Sequence, residues 1–146
     1  MGKKNSLDLA IQIATQAHSG QIDKAGQPYV LHPLRVMFQF DSEKERIVAV
    51  LHDVIEDSDM SLSEIKCCGF SDEITEALDC LSRKQAESYD DFIDRILTNK
   101  LACIIKIEDI KDNLNVTRLN KLQEKDLKRI YKYHQALGRL NNQFQK

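Results

Sequence analysis

From Ser6 almost to the end of the chain, apolar residues return every three or four positions, which is the spacing of one helix face. Residues that break helices are scarce: there are two prolines and five glycines among 146 residues, and both prolines fall in one short segment. An all-α fold follows, a compact helical bundle. One domain over residues 1–146 is the simplest organisation, because this length buries a real core but does not comfortably make two. The sequence shows no repeat, linker or low-complexity tract.

The pattern predicts helices over residues 6–18, 34–40, 43–57, 62–68, 72–82, 89–98, 101–114 and 122–141. Leu7, Ile11, Ala14 and His18 share the stripe of the first. Ser42-Glu43-Lys44-Glu45 is a capping box, and several other helices open on Ser with an acid three residues on. Gly26, Pro28 and Pro33 exclude regular helix from residues 19–33. A loop of that length in a small domain is commonly functional, and this one leads to His32. The last helix reads as a closing strut, with Leu127, Ile130, Tyr131, His134 and Leu137 inward and no chemistry of its own.

Charge and composition exclude several classes of function. A net charge of -2 and a pI near 6.1 give no basic field for nucleic acid. No stretch approaches the roughly 20 apolar residues that span a bilayer, and Met1-Gly2-Lys3-Lys4-Asn5 is not followed by the apolar core of a signal peptide. No membrane partner and a cytoplasmic location are therefore expected; the oligomeric state is not encoded in any visible pattern. Cys67, Cys68, Cys80 and Cys103 lack C-x-x-C spacing, so free and mostly buried thiols are expected.

The chemistry-bearing stretch is Leu51-His52-Asp53-Val54-Ile55-Glu56-Asp57. In a continuous helix Glu56 lies four residues beyond His52 and three beyond Asp53, so an imidazole and two carboxylates share a face. Apolar Leu51, Val54 and Ile55 imply that this face is half buried, where crowded carboxylates repel unless a divalent ion offsets them. An exposed cluster needs no ion, so other ligands must be found. His32 at the loop exit and Asp109, which follows the apolar run from Leu101 to Ile105, complete a set of two His and two Asp with His52 and Asp53. Such mixed ligands suit a hard divalent ion such as Mn²⁺. Lys106, Asp112 and Asn113 fall three or four residues from Asp109, on its face. Taken alone, His32 before Pro33 reads first as capping or bracing a turn, and Glu56 and Asp57 could be a solvated helix end. His18 reads as a helix-end or loop-bonding group, and His134 as packing. Lys84, Lys111 and Arg118 read as surface charges, with Arg83 a weak candidate for phosphate.

Four motifs taken together resemble the HD-domain metal phosphohydrolases, and within them the alarmone hydrolase domain of RelA/SpoT proteins and their small stand-alone relatives. They are Ala17-His18-Ser19-Gly20-Gln21, Lys24-Ala25-Gly26-Gln27-Pro28-Tyr29-Val30-Leu31-His32-Pro33, the stretch from Leu51 to Asp57, and Lys106-Ile107-Glu108-Asp109. The likeness covers nearly the whole chain and implies the same helical bundle. It also implies that His32, His52, Asp53 and Asp109 ligate one ion, usually Mn²⁺, and that Glu56 and Asp57 are the catalytic acidic pair. Lys24 matches a phosphate contact and Asn113 a nucleotide contact, with Tyr29 helping to form the pocket.

The departures bear on substrate. The family usually carries Arg-Lys where this chain has Asp23-Lys24, and that arginine stacks on guanine; the family's Arg-Leu-His after the last aspartate is here Ile110-Lys111-Asp112. Leu81-Ser82-Arg83 followed by Ser88-Tyr89 resembles the small HD proteins. The resemblance implies metal-dependent hydrolysis of a phosphate or pyrophosphate ester of a nucleotide, first of all the 3′-pyrophosphate of guanosine tetra- or pentaphosphate. Asp23 keeps another nucleotide in view, a nucleoside phosphate or an NADPH-like one. A nucleotide-sensing module without catalysis is the third reading, disfavoured by the intact acidic pair.

Overall fold

The computed structural model describes residues 6–143; Met1 to Asn5, where the reading of the N-terminal segment falls, lie outside the described residues. The order is α1 (Ser6–Ala17), α2 (Leu31–Met37), α3 (Glu43–Leu51), α4 (Val54–Asp57), α5 (Leu62–Cys67), α6 (Asp72–Cys80), α7 (Tyr89–Leu97), α8 (Lys100–Leu114), a 3₁₀ turn (Val116–Arg118) and α9 (Glu124–Gln143). Among the described residues the only extended pairing is an isolated bridge between Ile22 and Pro28. None of these helices is long and apolar enough to cross a membrane.

Two helices organise the bundle. α3 packs on α1, α2, α6 and α8, while α8 packs on α2, α3, α6, α7 and α9. The charged first turn of α3 faces solvent, but Ile47, Val48, Ala49, Val50 and Leu51 are at most 1% exposed, so its second half is enclosed on every side. Burying each large apolar side chain there stabilises the fold by about 1.5–3 kcal/mol. Leu101, Ala102, Cys103 and Ile105 make the first half of α8 core, and Asp109 then carries the same buried stripe into a polar region. Ala10, Val36, Leu78, Ile93 and Leu140 bring α1, α2, α6, α7 and α9 into the same apolar cluster.

Helix starts follow local chemistry. The side chains of Ser42, Ser61, Ser71, Ser88 and Asn99 accept from the backbone N–H of Glu45, Glu64, Ile74, Asp91 and Ala102, and Ser61 with Glu64 forms a reciprocal capping box.

The structure corrects several expectations. The helix expected over residues 43–57 pauses at His52 and Asp53. The Ala49 carbonyl there accepts both the His52 N–H at 3.4 Å and the His52 ring Nδ1–H at 2.6 Å, so the side chain has taken a helical acceptor. Pro33 does not end a loop but sits in the first turn of α2, where its missing N–H is harmless. On α9 the inward residues are Asp126, Ala136 and Leu140, while Leu127 and Tyr131 are 55% and 67% exposed and His134 faces solvent. Leu137 does pack against the core and Ile130 is half buried, so the phase is off by about one residue on a charge-dense helix. The cysteines are free, but only Cys103 is buried and Cys67 is exposed.

Candidate active site

Residues 19–33 form a folded finger rather than an open loop. Asp23 N–H donates to Gln27 O at 2.8 Å, and Asp23 Oδ1 accepts from the amides of Ala25 and Gln27, both at 2.9 Å. Tyr29 N–H donates to Gln21 O at 2.9 Å, which closes the finger and feeds the chain into α2 at Leu31. His32 is thereby placed on a rigid first turn, facing α8.

Three of the expected ligands converge. His32, His52 and Asp109, from α2, the end of α3 and α8, are 5%, 3% and 3% exposed. Their donor atoms all lie within 4.8 Å of one another. His32 Nε2 is 2.8 Å and His52 Nε2 3.2 Å from Asp109 Oδ1. Asp53 stands beside them, its Oδ2 3.2 Å from His52 Nε2 and 3.6 Å from His32 Nε2, and accepts the Tyr29 hydroxyl at 2.6 Å.

The second nitrogen of each imidazole tests whether this group suits an ion. His32 Nδ1 meets Asp112 Oδ2 at 2.7 Å, and His52 Nδ1 meets the Ala49 carbonyl. Both partners only accept, so both Nδ1 atoms carry protons, and the two Nε2 atoms meet the same carboxylate oxygen, Asp109 Oδ1. Outward Nδ1–H donors with converging Nε2 atoms are how metal-ligating histidines are held. The donor set fits a divalent cation. Asp112 is itself gripped by Arg35 through Nε at 2.9 Å and a terminal nitrogen at 3.0 Å, and Arg118 donates to its backbone carbonyl at 2.8 Å. Asp109 Oδ2 accepts from Lys106 Nζ at 2.8 Å and its Oδ1 from Asn113 Nδ2 at 3.1 Å.

Electrostatics agree with this geometry. Burial on its own would lower the His32 pKa, but the hydrogen bonds to Asp109 and Asp112 outweigh it and raise the group to about 9. His52 is likewise raised, Asp53 and Asp109 overpowering its burial. Asp109, despite burial, is held well below the usual carboxylate range by Lys106 and the two imidazoles. The metal-free cluster balances its carboxylates with protons and Lys106, and an ion would take the place of the protons.

Glu56 and Asp57 follow the pause in the helix, on α4, and both are exposed rather than half buried, yet both lie near enough to Asp53 to feel its charge. Glu56 Oε1 accepts from the backbone N–H of Arg83, and Asp57 is tied through its carbonyl to Gln21 Nε2 at 2.6 Å. Partial desolvation, with the nearby Asp53 charge, raises the pKa of both acids.

A cleft opens beside His32. Lys24, Tyr29 and Asn113 line it as expected, together with Asp23, Arg35, Asp112, Arg118 and Arg129. Burial lowers the Lys24 pKa and Arg129 adds to the effect, against Asp126 and Asp23; Arg35 and Arg118 pair with Asp112 and Arg129 with Asp126. Arg129 came from the helix read as an inert strut, and Arg118 from the set read as surface charge. No motif pointed to Arg129. Arg35 could have been found, lying three residues after His32 on the same short helix.

No protein-family model matches the chain. It is similar to a guanosine-3′,5′-bis(diphosphate) 3′-pyrophosphohydrolase of Borreliella burgdorferi, 36% identical over 86 residues, 56% of this chain and 13% of the relative. The protein of that name from Aquifex aeolicus is 30% identical over 120 residues, 74% of this chain and 17% of the relative. The chain thus spans less than a fifth of the length of these curated relatives. A solved structure described as a metazoan ortholog of SpoT that hydrolyzes ppGpp superposes with a TM-score of 0.76 at 19% identity, covering 96% of this chain and 87% of that one. The fold is the all-helical bundle of that solved structure. In sequence, the chain is similar to one part of the guanosine-3′,5′-bis(diphosphate) 3′-pyrophosphohydrolases.

Proposed function

We propose that this chain is a Mn²⁺-dependent phosphohydrolase, one domain over residues 1–146, that removes the 3′-pyrophosphate of guanosine tetra- or pentaphosphate. The observation that carries the reading is the convergence of His32 and His52 Nε2 on Asp109, with both Nδ1 atoms held outward. The curated relatives bear the name of that activity, which supports the choice of substrate. In this reading His32, His52, Asp53 and Asp109 hold the ion, which when bound supplies a Lewis acid for the phosphoryl oxygen and an activated water. Tyr29 fixes the Asp53 carboxylate through its hydroxyl while its ring walls the cleft. Glu56 and Asp57, whose pKa values are raised toward the working range, orient the attacking water and take its proton. Lys24, with Arg118 and Arg129, offsets the charge of a polyphosphate entering beside acidic ligands, and Asn113 lines its path.

A second reading, hydrolysis of another nucleotide such as a nucleoside phosphate or an NADPH-like one, is favoured by one feature: Asp23 puts an acid where the family's arginine stacks on guanine. A pyrophosphate- and phosphate-release screen with Mn²⁺ across guanosine polyphosphates, nucleoside phosphates and dinucleotide phosphates tests both. Pyrophosphate from guanosine 3′,5′-bis(diphosphate) supports the first; orthophosphate from another nucleotide alone supports the second.

A further inference from the structure

The corner after α1 carries a polar arrangement that the ligand set leaves unused. Gly20 has φ +80°, a conformation that turns the chain back on itself and that side-chain-bearing residues rarely adopt. Gln21 then folds its amide under the end of α1. Its Nε2 donates to Ala17 O at 3.3 Å and, across 36 residues of chain, to the Asp57 backbone carbonyl at 2.6 Å. Its Oε1 faces His18 Nδ1 at 2.9 Å. Both partners of the amide nitrogen are carbonyls, so the assignment of the amide is fixed, and Oε1 can only accept. His18 Nδ1 must therefore carry the proton.

His18 is 2% exposed, and its other ring nitrogen, Nε2, is buried without a hydrogen-bond partner among the described residues. A buried polar atom left in that state calls for an explanation. The ring is held against Tyr29, centroids 5.1 Å apart, and its one side-chain hydrogen bond among the described residues is with Gln21. An imidazole retained there for a single donor contact has the orientation of Gln21 as its task.

What Gln21 orients is the end of α4, a helix of four residues with only Val54 buried. So short a helix has little of its own to fix its last carbonyls. Gln21 Nε2 caps it at Asp57, and Ser58 Oγ donates to Val54 O at 2.6 Å. The backbone of Gln21 also accepts the Tyr29 amide, so one residue ties the acid-bearing turn to the finger that carries Tyr29 and His32.

Building on the hydrolase reading above, we infer that Gln21, oriented by His18, is a positioning residue that sets the place of Asp57 relative to the ligand cluster. It touches neither substrate nor ion. Removing it should cost rate and leave metal binding and substrate binding nearly unchanged, since a misplacement of about 1 Å can lower turnover roughly 10²-fold.

The test uses the full chain with Mn²⁺ and guanosine 3′,5′-bis(diphosphate). Gln21→Ala and the isosteric Gln21→Glu, whose carboxylate cannot donate to Asp57 O, should lower kcat about 10- to 100-fold, with KM and the calorimetric Mn²⁺ Kd within about twofold. His18→Leu should behave alike. His18→Asn should recover most of the loss, because its amide nitrogen lies where Nδ1 lies. Hydrogen exchange of the amides of residues 56–59 should quicken in Gln21→Ala, a readout that needs no turnover. Unchanged exchange in that variant overturns the inference, as does a parallel fall in Mn²⁺ affinity, which would make Gln21 merely structural. A natural protein inactive on the nucleotide would instead overturn the hydrolase reading, and exchange would still decide the role of Gln21.

Discussion

Asp112 accepts the Nδ1 proton of His32 at 2.7 Å while Arg35 holds both of its carboxylate oxygens, so the imidazole on α2 is aimed by a residue on α8. Such a carboxylate fixes the tautomer and ring orientation of a metal-ligating histidine and increases its basicity. Asp112→Asn should lower Mn²⁺ affinity by about 10- to 100-fold, with Arg35→Ala following in the same direction. Titration calorimetry reads both; an unchanged Kd in Asp112→Asn removes His32 from the ligand set or Asp112 from its support.

Protons and metal compete for the same nitrogens. In the metal-free protein the hydrogen bonds to Asp109 and Asp112 overcome burial and raise His32 from 6.5 to about 9. Because the folded-state value lies above the unfolded one, the protonated ring contributes stability that is complete below about pH 6.5 and lost as pH rises through about 9. Metal binding runs the other way, since the proton must leave. The apparent Mn²⁺ affinity should climb about tenfold per pH unit for each proton displaced, levelling above pH 9. Calorimetry in buffers of different ionisation enthalpy counts the protons released; an affinity flat between pH 6 and 8 contradicts the assignment.

The acidic pair is expected to act on water without holding the ion. Glu56→Gln should keep its Mn²⁺ and its KM while kcat falls about 10²-fold or more. The Arg83 amide that binds Glu56 Oε1 can still meet an amide oxygen, so the side chain stays in place. Stoichiometric metal with full turnover in that variant would assign proton handling elsewhere.

Most helices were readable from the sequence because Ser42, Ser61 and Ser88 cap where they should and because the burial of Leu51 and Ile105 follows from spacing. The grouping of His32, His52 and Asp109 was legible through motif order: they lie in three separate segments, and only a fold brings them together, with Asp53 beside them. The break at His52 was not legible, because it depends on a side chain bonding its own preceding turn. Nor was Arg129, whose place on the cleft depends on the phase of α9, where solvated charges blur the apolar stripe.

Asp23 also acquires a second role. Its Oδ1 accepts from the Ala25 and Gln27 amides, so replacing it by arginine would both reverse the charge and strip the finger of a cap, at a cost of about 0.5–2 kcal/mol. Asp23→Asn separates these effects: it keeps an accepting oxygen and removes the negative charge facing a polyanionic substrate. KM for guanosine 3′,5′-bis(diphosphate) should improve several-fold, as expected for a contact of about 1 kcal/mol, with kcat and melting temperature little changed. Steady-state kinetics beside a thermal melt decide it; an unaltered KM means that the phosphates pass Asp23 at a distance.

The central claim is a metal centre that hydrolyses a guanosine polyphosphate, and its most direct test is pyrophosphate release from guanosine 3′,5′-bis(diphosphate) by the Mn²⁺-loaded natural protein, with His52→Ala and its metal content measured alongside. The natural protein should release pyrophosphate and the variant should lose both ion and turnover. Pyrophosphate release undiminished in a His52→Ala protein that still holds stoichiometric Mn²⁺, or none at all from the metal-loaded natural protein, would contradict the account.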